Sequence, residues 1–173
     1  MIVSFLDTIL ILHQWKSKSE AMNFLRPLSH VSILSDAESE NYFYSITVRD
    51  ALLRNELLTV LVIFDLGYLP VPHIALLPES SEFLIGVDQS IYRVDIRQKV
   101  SRNILKLDSP FNSFVYKENL KIMLIFHEIG VLGIKQGKVF LNHSHDIISH
   151  ILIDEFRVQL YFEDQSSITL ELT

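Results

Sequence analysis

The sequence predicts a mainly β protein. The expected architecture is an antiparallel meander forming two packed or strongly curved sheets, with one or two short helices near the N-terminus. Three observations carry this. Beyond residue 42 the chain reads as short strand-like runs almost throughout, several of them alternating apolar and polar residues at a period of two, as strands with one covered face require. Turn-forming residues interrupt these runs at hairpin spacing, most clearly Gln136-Gly137 between two alternating runs. Strand-like stretches also echo one another: residues 119–127 (NLKIMLIFH), 155–163 (EFRVQLYFE) and, far upstream, 56–65 (ELLTVLVIFD) all end on Phe followed by a His or an acid.

Taken in order, the first element is open to two readings. Ile2, Leu6, Ile9 and His13 share a helical face, while Thr8 to Trp15 reads equally well as a buried strand, because periodicity does not separate the two in short apolar runs. Ser17 and Glu20 have capping-box spacing, Ala21, Phe24 and Leu25 follow, and Pro27 stops the run, so a short helix is expected at about 19–26. Residues 35–41 (SDAESEN) read as a solvated acidic loop. Tyr42–Leu53 and Leu57–Asp65 form a hairpin around Arg54, Asn55 and Glu56. Pro70 and Pro72 cannot donate to a ladder, which makes 67–72 a connection or an edge, with a short strand at Ile74–Leu77 after it. Phe83–Ile96 is a hairpin turning at Asp88-Gln89-Ser90, and Val131–Leu141 is another turning at Gln136-Gly137. Further strands are expected at Phe111–Tyr116, Leu120–Phe126, Asp146–Ile153, Arg157–Phe162 and Ser167–Leu172.

The two hairpins align Ile85-Gly86-Val87 with Leu132-Gly133-Ile134, a spacing of 47 residues (134 − 87). A repeat of 40–50 residues is the length of a four-stranded propeller blade. The stretch Ile85-Gly86-Val87 with Ile91-Tyr92 and Val94-Asp95 resembles the inner strands of quinoprotein-type propeller blades, which implies a small β-propeller as the alternative architecture. The Phe-terminated echoes are irregularly spaced, so the packed meander is the primary expectation. The C-terminal half resembles segments of uncharacterised bacterial all-β proteins through His127–Ile134, Gly137–Val139, Asp146–Ile148 and Phe162–Asp164; that resemblance implies no activity.

At 173 residues, 49% hydrophobic and 21% charged, the chain has the composition of a folded domain. One β-rich domain over 1–173 is expected, with 1–78 and 79–173 as its sub-units where it divides. The absence of cysteine excludes disulfides and thiolate metal sites and fits the cytoplasm. The net charge is −6, and Lys16, Lys18, Arg97, Lys99 and Arg102 are scattered. Neutralising nucleic-acid phosphates needs a surplus of Lys and Arg, so no nucleic acid is expected, and the sign favours a protein partner with a basic surface. Residues 1–12 lack the basic flank and cleavage site of a signal peptide and are too short to span a bilayer, so no membrane association is expected.

Candidate chemistry is sparse. His143 and His145 stand two apart on a strand and therefore share a face, the arrangement that suits two-point metal ligation, and His127 and Asp146 are the further candidate ligands. The run resembles the His-x-His-x-Asp-His motif of metallo-β-lactamase-like hydrolases, but Asp146 directly follows the second His, and strand parity sends it to the opposite side. No Gly-x-Ser-x-Gly elbow presents a nucleophile, and no glycine-rich loop precedes a helix, so no cofactor is expected. Tyr42 and Tyr44 share a strand face and are candidate binding residues, as are Asp36, Glu38 and Glu40 beside them, whose charge can steer a basic partner. The expected function is a non-enzymatic protein-binding module, similar in kind to immunity or regulatory proteins. The alternatives are a metal-dependent hydrolase centred on His143 and His145, and a structural subunit whose strand Ser167–Leu172 completes a larger sheet.

Overall fold

The computed structural model describes residues 2–5, 7–35, 41–65, 71–77 and 80–172. Among these the chain is mainly β, with sixteen strands, one α-helix and four sheets, none closed into a barrel. This is the expected meander with packed sheets. By its contacts the chain divides into two compact units, Met1–Leu107 and Asp108–Thr173. The sub-unit seam expected at 78/79 instead falls between two paired strands of one sheet, where a hairpin ladder holds the chain together.

In the first unit, strands β1 (Ile2–Phe5), β2 (Thr8–Trp15), β3 (Val31–Ser35), β4 (Tyr42–Asp50) and β5 (Glu56–Phe64) form a sheet in the order β1-β2-β4-β5-β3. Every pairing is antiparallel except β3 with β5. The helical reading of the first residues is corrected. All eight residues of β2 lie in register with β4, from Thr8 opposite Asp50 to Trp15 opposite Phe43, so the ladder supplies the hydrogen bonds that a helix would otherwise make within itself. Leu6 lies outside the described residues.

Helix α1 (Lys18–Leu25) sits one residue before its expected position. The Ser17 side chain accepts from the Glu20 N–H, and the Glu20 carboxylate accepts from the Lys16 N–H, so orphan donors on both sides of the first turn are satisfied. Ala21 and Leu25 of the helix pack with Phe43, Leu61 and Ile63 on one face of the sheet. Trp15 closes that cluster, its ring tilted against Phe24 (4.8 Å between ring centroids) and its indole N–H donating to Ser45 Oγ at 3.0 Å.

The other face of the sheet is covered by the second sheet of this unit, β6 (His73–Leu77), β7 (Glu82–Val87), β8 (Ser90–Asp95) and β9 (Val100–Lys106), a simple four-stranded meander. Ile46, Val48, Leu58, Val60, Val62 and Phe64 meet Phe83, Ile85, Val87, Tyr92 and Val94 there in one core. Strand alternation explains the partition: within β5, Val60, Val62 and Phe64 face the second sheet while Leu61 and Ile63 face the helix. Full burial of each such side chain contributes about 1.5–3 kcal/mol before chain entropy is charged against it.

The second unit holds a four-stranded meander, β10 (Phe111–Lys117), β11 (Ile122–His127), β12 (Gly130–Lys135) and β13 (Lys138–Ser144), and a three-stranded one, β14 (Ile148–Ile153), β15 (Arg157–Phe162) and β16 (Ser167–Glu171). Ile122, Leu124, Phe126 and Val131 of the first pack on Val158, Leu160 and Phe162 of the second. The β12–β13 turn has the chemistry the sequence promised, with both Gln136 and Gly137 at positive φ (52° and 74°), the left-handed pair a two-residue hairpin turn needs.

Candidate functional site

Tyr42 and Tyr44 do share a face of β4, but that face is the core. Tyr44 is buried in the main cluster of the first unit, Tyr42 packs against it, and both rings stack on Phe64 at 5.3 and 5.7 Å. Burial, with the neighbouring Tyr42 second, raises the Tyr44 pKa above its ordinary value. The pair therefore serves the core, with Tyr44 buried and Tyr42 partly buried. Asp36, Glu38 and Glu40 lie outside the described residues.

The four candidate metal ligands do not assemble. His143 and His145 do share a side, as alternation requires: both rings lie near Phe162, at 6.3 and 5.0 Å between centroids. The ladder register explains why His127 is not with them. One cross-strand row runs Phe111, His127, Gly130, Ser144, so His127 is level with the residue between the two candidate histidines and shares its opposite parity. Asp146 turns its carboxylate onto the N–H of Ile147 at 2.7 Å. Among the described residues, no three His, Asp or Glu side chains form a group that could hold a metal ion. His145 instead pairs with Asp164, Nε2 to Oδ2 at 3.1 Å, on an exposed surface. The Asp164 pKa is lowered by the Ser166 hydroxyl and N–H it accepts from, with His145 a smaller contributor.

His127 has a different role. The residue is only 3% exposed, and its Nδ1 lies 2.7 Å from the hydroxyl of Ser109, a residue 6% exposed, whose hydroxyl also accepts the Ile129 N–H at 3.3 Å. Burial lowers the His127 pKa below its ordinary 6.5, against a smaller opposing effect of Asp108. A neutral imidazole bonded to a buried hydroxyl resembles a nucleophile and base in composition only. Both groups sit under the surface, and their hydrogen bonds tie the start of β10 to the β11–β12 turn.

The surface that stands out in the second unit is the outer face of the three-stranded sheet. Ile151, Ile153, Val158, Leu160, Ile168 and Leu170 point to the core. The alternate residues form rows across the strands on the other side: His150, Tyr161, Ser167, then Leu152, Gln159, Thr169. His150 and Tyr161 are in ring contact at 5.8 Å, Leu152 is 48% exposed, and Arg157 pairs with Glu171 at 3.0 Å along the rim. Phe156, in the turn that joins β14 and β15, is 49% exposed. Sequence reading missed these residues. Tyr161 was recognisable, since it occupies the polar parity of an otherwise regular strand. Leu152 was not, because a bulge between Ile148 and His150 shifts the parity of β14.

No protein-family model matches the chain, and no curated protein does. Among solved structures, the chain is similar to the crystal structure of the computationally designed Ika4 protein, at 12% sequence identity and a TM-score of 0.47, over 83% of this chain and 91% of that one. No helix among the described residues is long and apolar enough to cross a membrane.

Proposed function

We propose that this chain is a non-enzymatic protein-binding module that contacts a partner with a basic surface, in the manner of an immunity or regulatory protein. The observation that carries this is the outer face of the three-stranded sheet. It places an exposed Leu and a His on edge strand β14 and a Tyr on the central strand β15, in rows completed by the neutral polar Gln159, Ser167 and Thr169, with an Arg–Glu pair at the rim. Tyr and Arg are enriched where proteins meet. The net charge of −6 favours a basic partner, because opposite fields raise the encounter rate and disfavour acidic competitors.

The test is capture of partners on immobilised protein, with Leu152→Glu and Tyr161→Ala as paired variants. Both positions are on the outer face, so the fold is expected to survive either change. A stoichiometric basic partner held by the native chain and lost by about tenfold or more in both variants supports the reading, since central interface side chains commonly carry over 1 kcal/mol each. Equal capture by all three proteins places the contact elsewhere. An empty capture counts against the function itself.

One observation supports a second reading. Among the described residues β16 pairs with β15 alone, with no break in register, and it carries no Lys, Pro or bulge to discourage a further strand. A structural subunit that completes a larger sheet would use that edge, and it would sediment as an assembly instead of a monomer at high concentration.

A further inference from the structure

The β7-β8-β9 ladder carries an unusual arrangement of charge. Glu82 on β7 is directly opposite Asp95 on β8, and Arg93 on β8 is directly opposite Arg102 on β9. Like charges placed directly across a ladder repel. The array is relieved on the diagonals, where each acid has an arginine as neighbour. One diagonal is closed: Glu82 accepts from Arg93 at 2.5 Å. The other is open. Among the described residues, Asp95 and Arg102 form no ion pair with each other, whereas Arg93 is paired with Glu82. Asp95 is nonetheless held in place, because its Oδ1 accepts the Gln98 N–H at 2.8 Å in the turn.

These side chains line one concavity of about 320 Å³, together with Val100 and Ile104. That is the lower end of the range for small-molecule sites. The apolar wall is built, not incidental. Ile104 is the extra residue of a bulge, since Ile91 pairs with Leu105 and Tyr92 with Asn103. Asn103 secures the bulge by accepting the Leu105 N–H and donating to Ser90 Oγ, both at 3.1 Å. Bulges of this kind re-aim a side chain, and here the re-aimed side chain is an isoleucine 42% exposed on the groove.

A simple anion is disfavoured in this groove by Glu82 and Asp95, and a simple cation by Arg93 and Arg102. The ligand that fits the open diagonal carries both charges a bond or two apart and has an apolar group beside them. We propose that the groove binds a free aliphatic α-amino acid, with its carboxylate on Arg102, its ammonium on Asp95 and its side chain against Val100 and Ile104. Arginine holds a carboxylate through two parallel N–H donors, which also orients the ligand along the diagonal. This site is independent of the protein-binding face and stands or falls separately from it.

The experiment is a titration of the full isotope-labelled chain with L-leucine, up to about 20 mM, followed by amide chemical shifts, a range that covers the millimolar affinity expected of partly exposed charge contacts. The expected result is saturable shifts confined to the β8 and β9 amides. Affinity should fall about tenfold in Arg102→Gln and in Asp95→Asn, which keeps the turn acceptor, and should be unchanged in Arg49→Gln, on another sheet. N-acetyl-leucine, without the ammonium, and leucine amide, without the carboxylate, should each bind more weakly than leucine. Shifts that never saturate overturn the proposal. So does binding untouched by both groove substitutions, or N-acetyl-leucine binding as well as leucine, which would make the groove a plain anion site.

Discussion

His127 shows how a residue that reads as chemistry in the sequence becomes structure in the fold. It ends an apolar strand, has a Glu after it and lies level with a His-rich segment, yet the row it occupies carries it under the surface, beside Ser109. Its lowered pKa has a consequence for stability. The unfolded chain takes up a proton near the ordinary value of 6.5, whereas the folded chain resists it, so the unfolded state binds more protons as the pH falls through that region. Stability contributed by the neutral, buried ring is present above that value and lost as the pH drops below it. The urea midpoint of the second unit is expected to fall between about pH 7.5 and about pH 5.5, and to fall less in His127→Gln, which no longer titrates there. A pH slope identical in the two proteins would show that His127 does not couple to folding. Neither Ser109 nor the burial of His127 was legible in the sequence, because the contact depends on the chain between them closing back into one ladder. The pairing of His143 with His145 was legible, since two residues apart on a strand is a local property.

At the scale of elements, two glycines of β12 separate close packing from mere proximity. A Cβ on Gly130 would stand 2.1 Å from the carbonyl oxygen of His143, a backbone atom that moves only with its strand. A Cβ on Gly133 would meet the Phe140 ring at 2.7 Å, a side chain that is 38% exposed and able to swing away. Gly130→Ala is therefore expected to cost about 3 kcal/mol and Gly133→Ala about 1 kcal/mol, the two ends of the range for overpacking. Chemical denaturation of both variants checks this, and the reverse order would contradict the assigned register of β12 and β13. The same strand explains why the repeat was misread. Aligning Gly86 with Gly133 matches the second strand of one meander to the third of the next. The structure puts the β7–β8 turn, at Asp88, in phase with the β11–β12 turn, at Glu128, a spacing of 40 residues (128 − 88). The echo between residues 119–127 and 155–163 was in phase, since β11 and β15 are each the second strand of their sheet. Strands β3 and β9 were missed for opposite reasons. β3 is short and pairs in parallel, while the β9 sequence, VSRNILK, loses its alternation to the bulge at Ile104.

At the scale of the whole chain, the alternating pattern established the fold class and most hairpins, because whether a segment forms a strand is decided within it and its turn. The grouping of strands into sheets of five, four, four and three was not legible, since the same alternation serves an edge strand, a central strand and either side of a sandwich. The division after Leu107 was hidden for the same reason, as no Gly- or Pro-rich linker marks it. The proposed function rests on one whole-chain property, the net charge of −6, and on one sheet face with Leu152 and Tyr161 turned outward. The charge makes a quantitative demand. Association with a basic partner should slow steeply as salt rises, because fields between exposed charges are screened over about 8 Å at physiological ionic strength.

The most direct test of the protein-binding account is the association rate of the captured partner measured across a salt series, for the native chain and for a chain with Asp36, Glu38 and Glu40 changed to Ser. The account predicts a rate that drops by about tenfold or more from low to high salt in the native chain and a visibly flatter dependence in the variant. A partner that binds at the same rate at every salt concentration, to both chains alike, would contradict it.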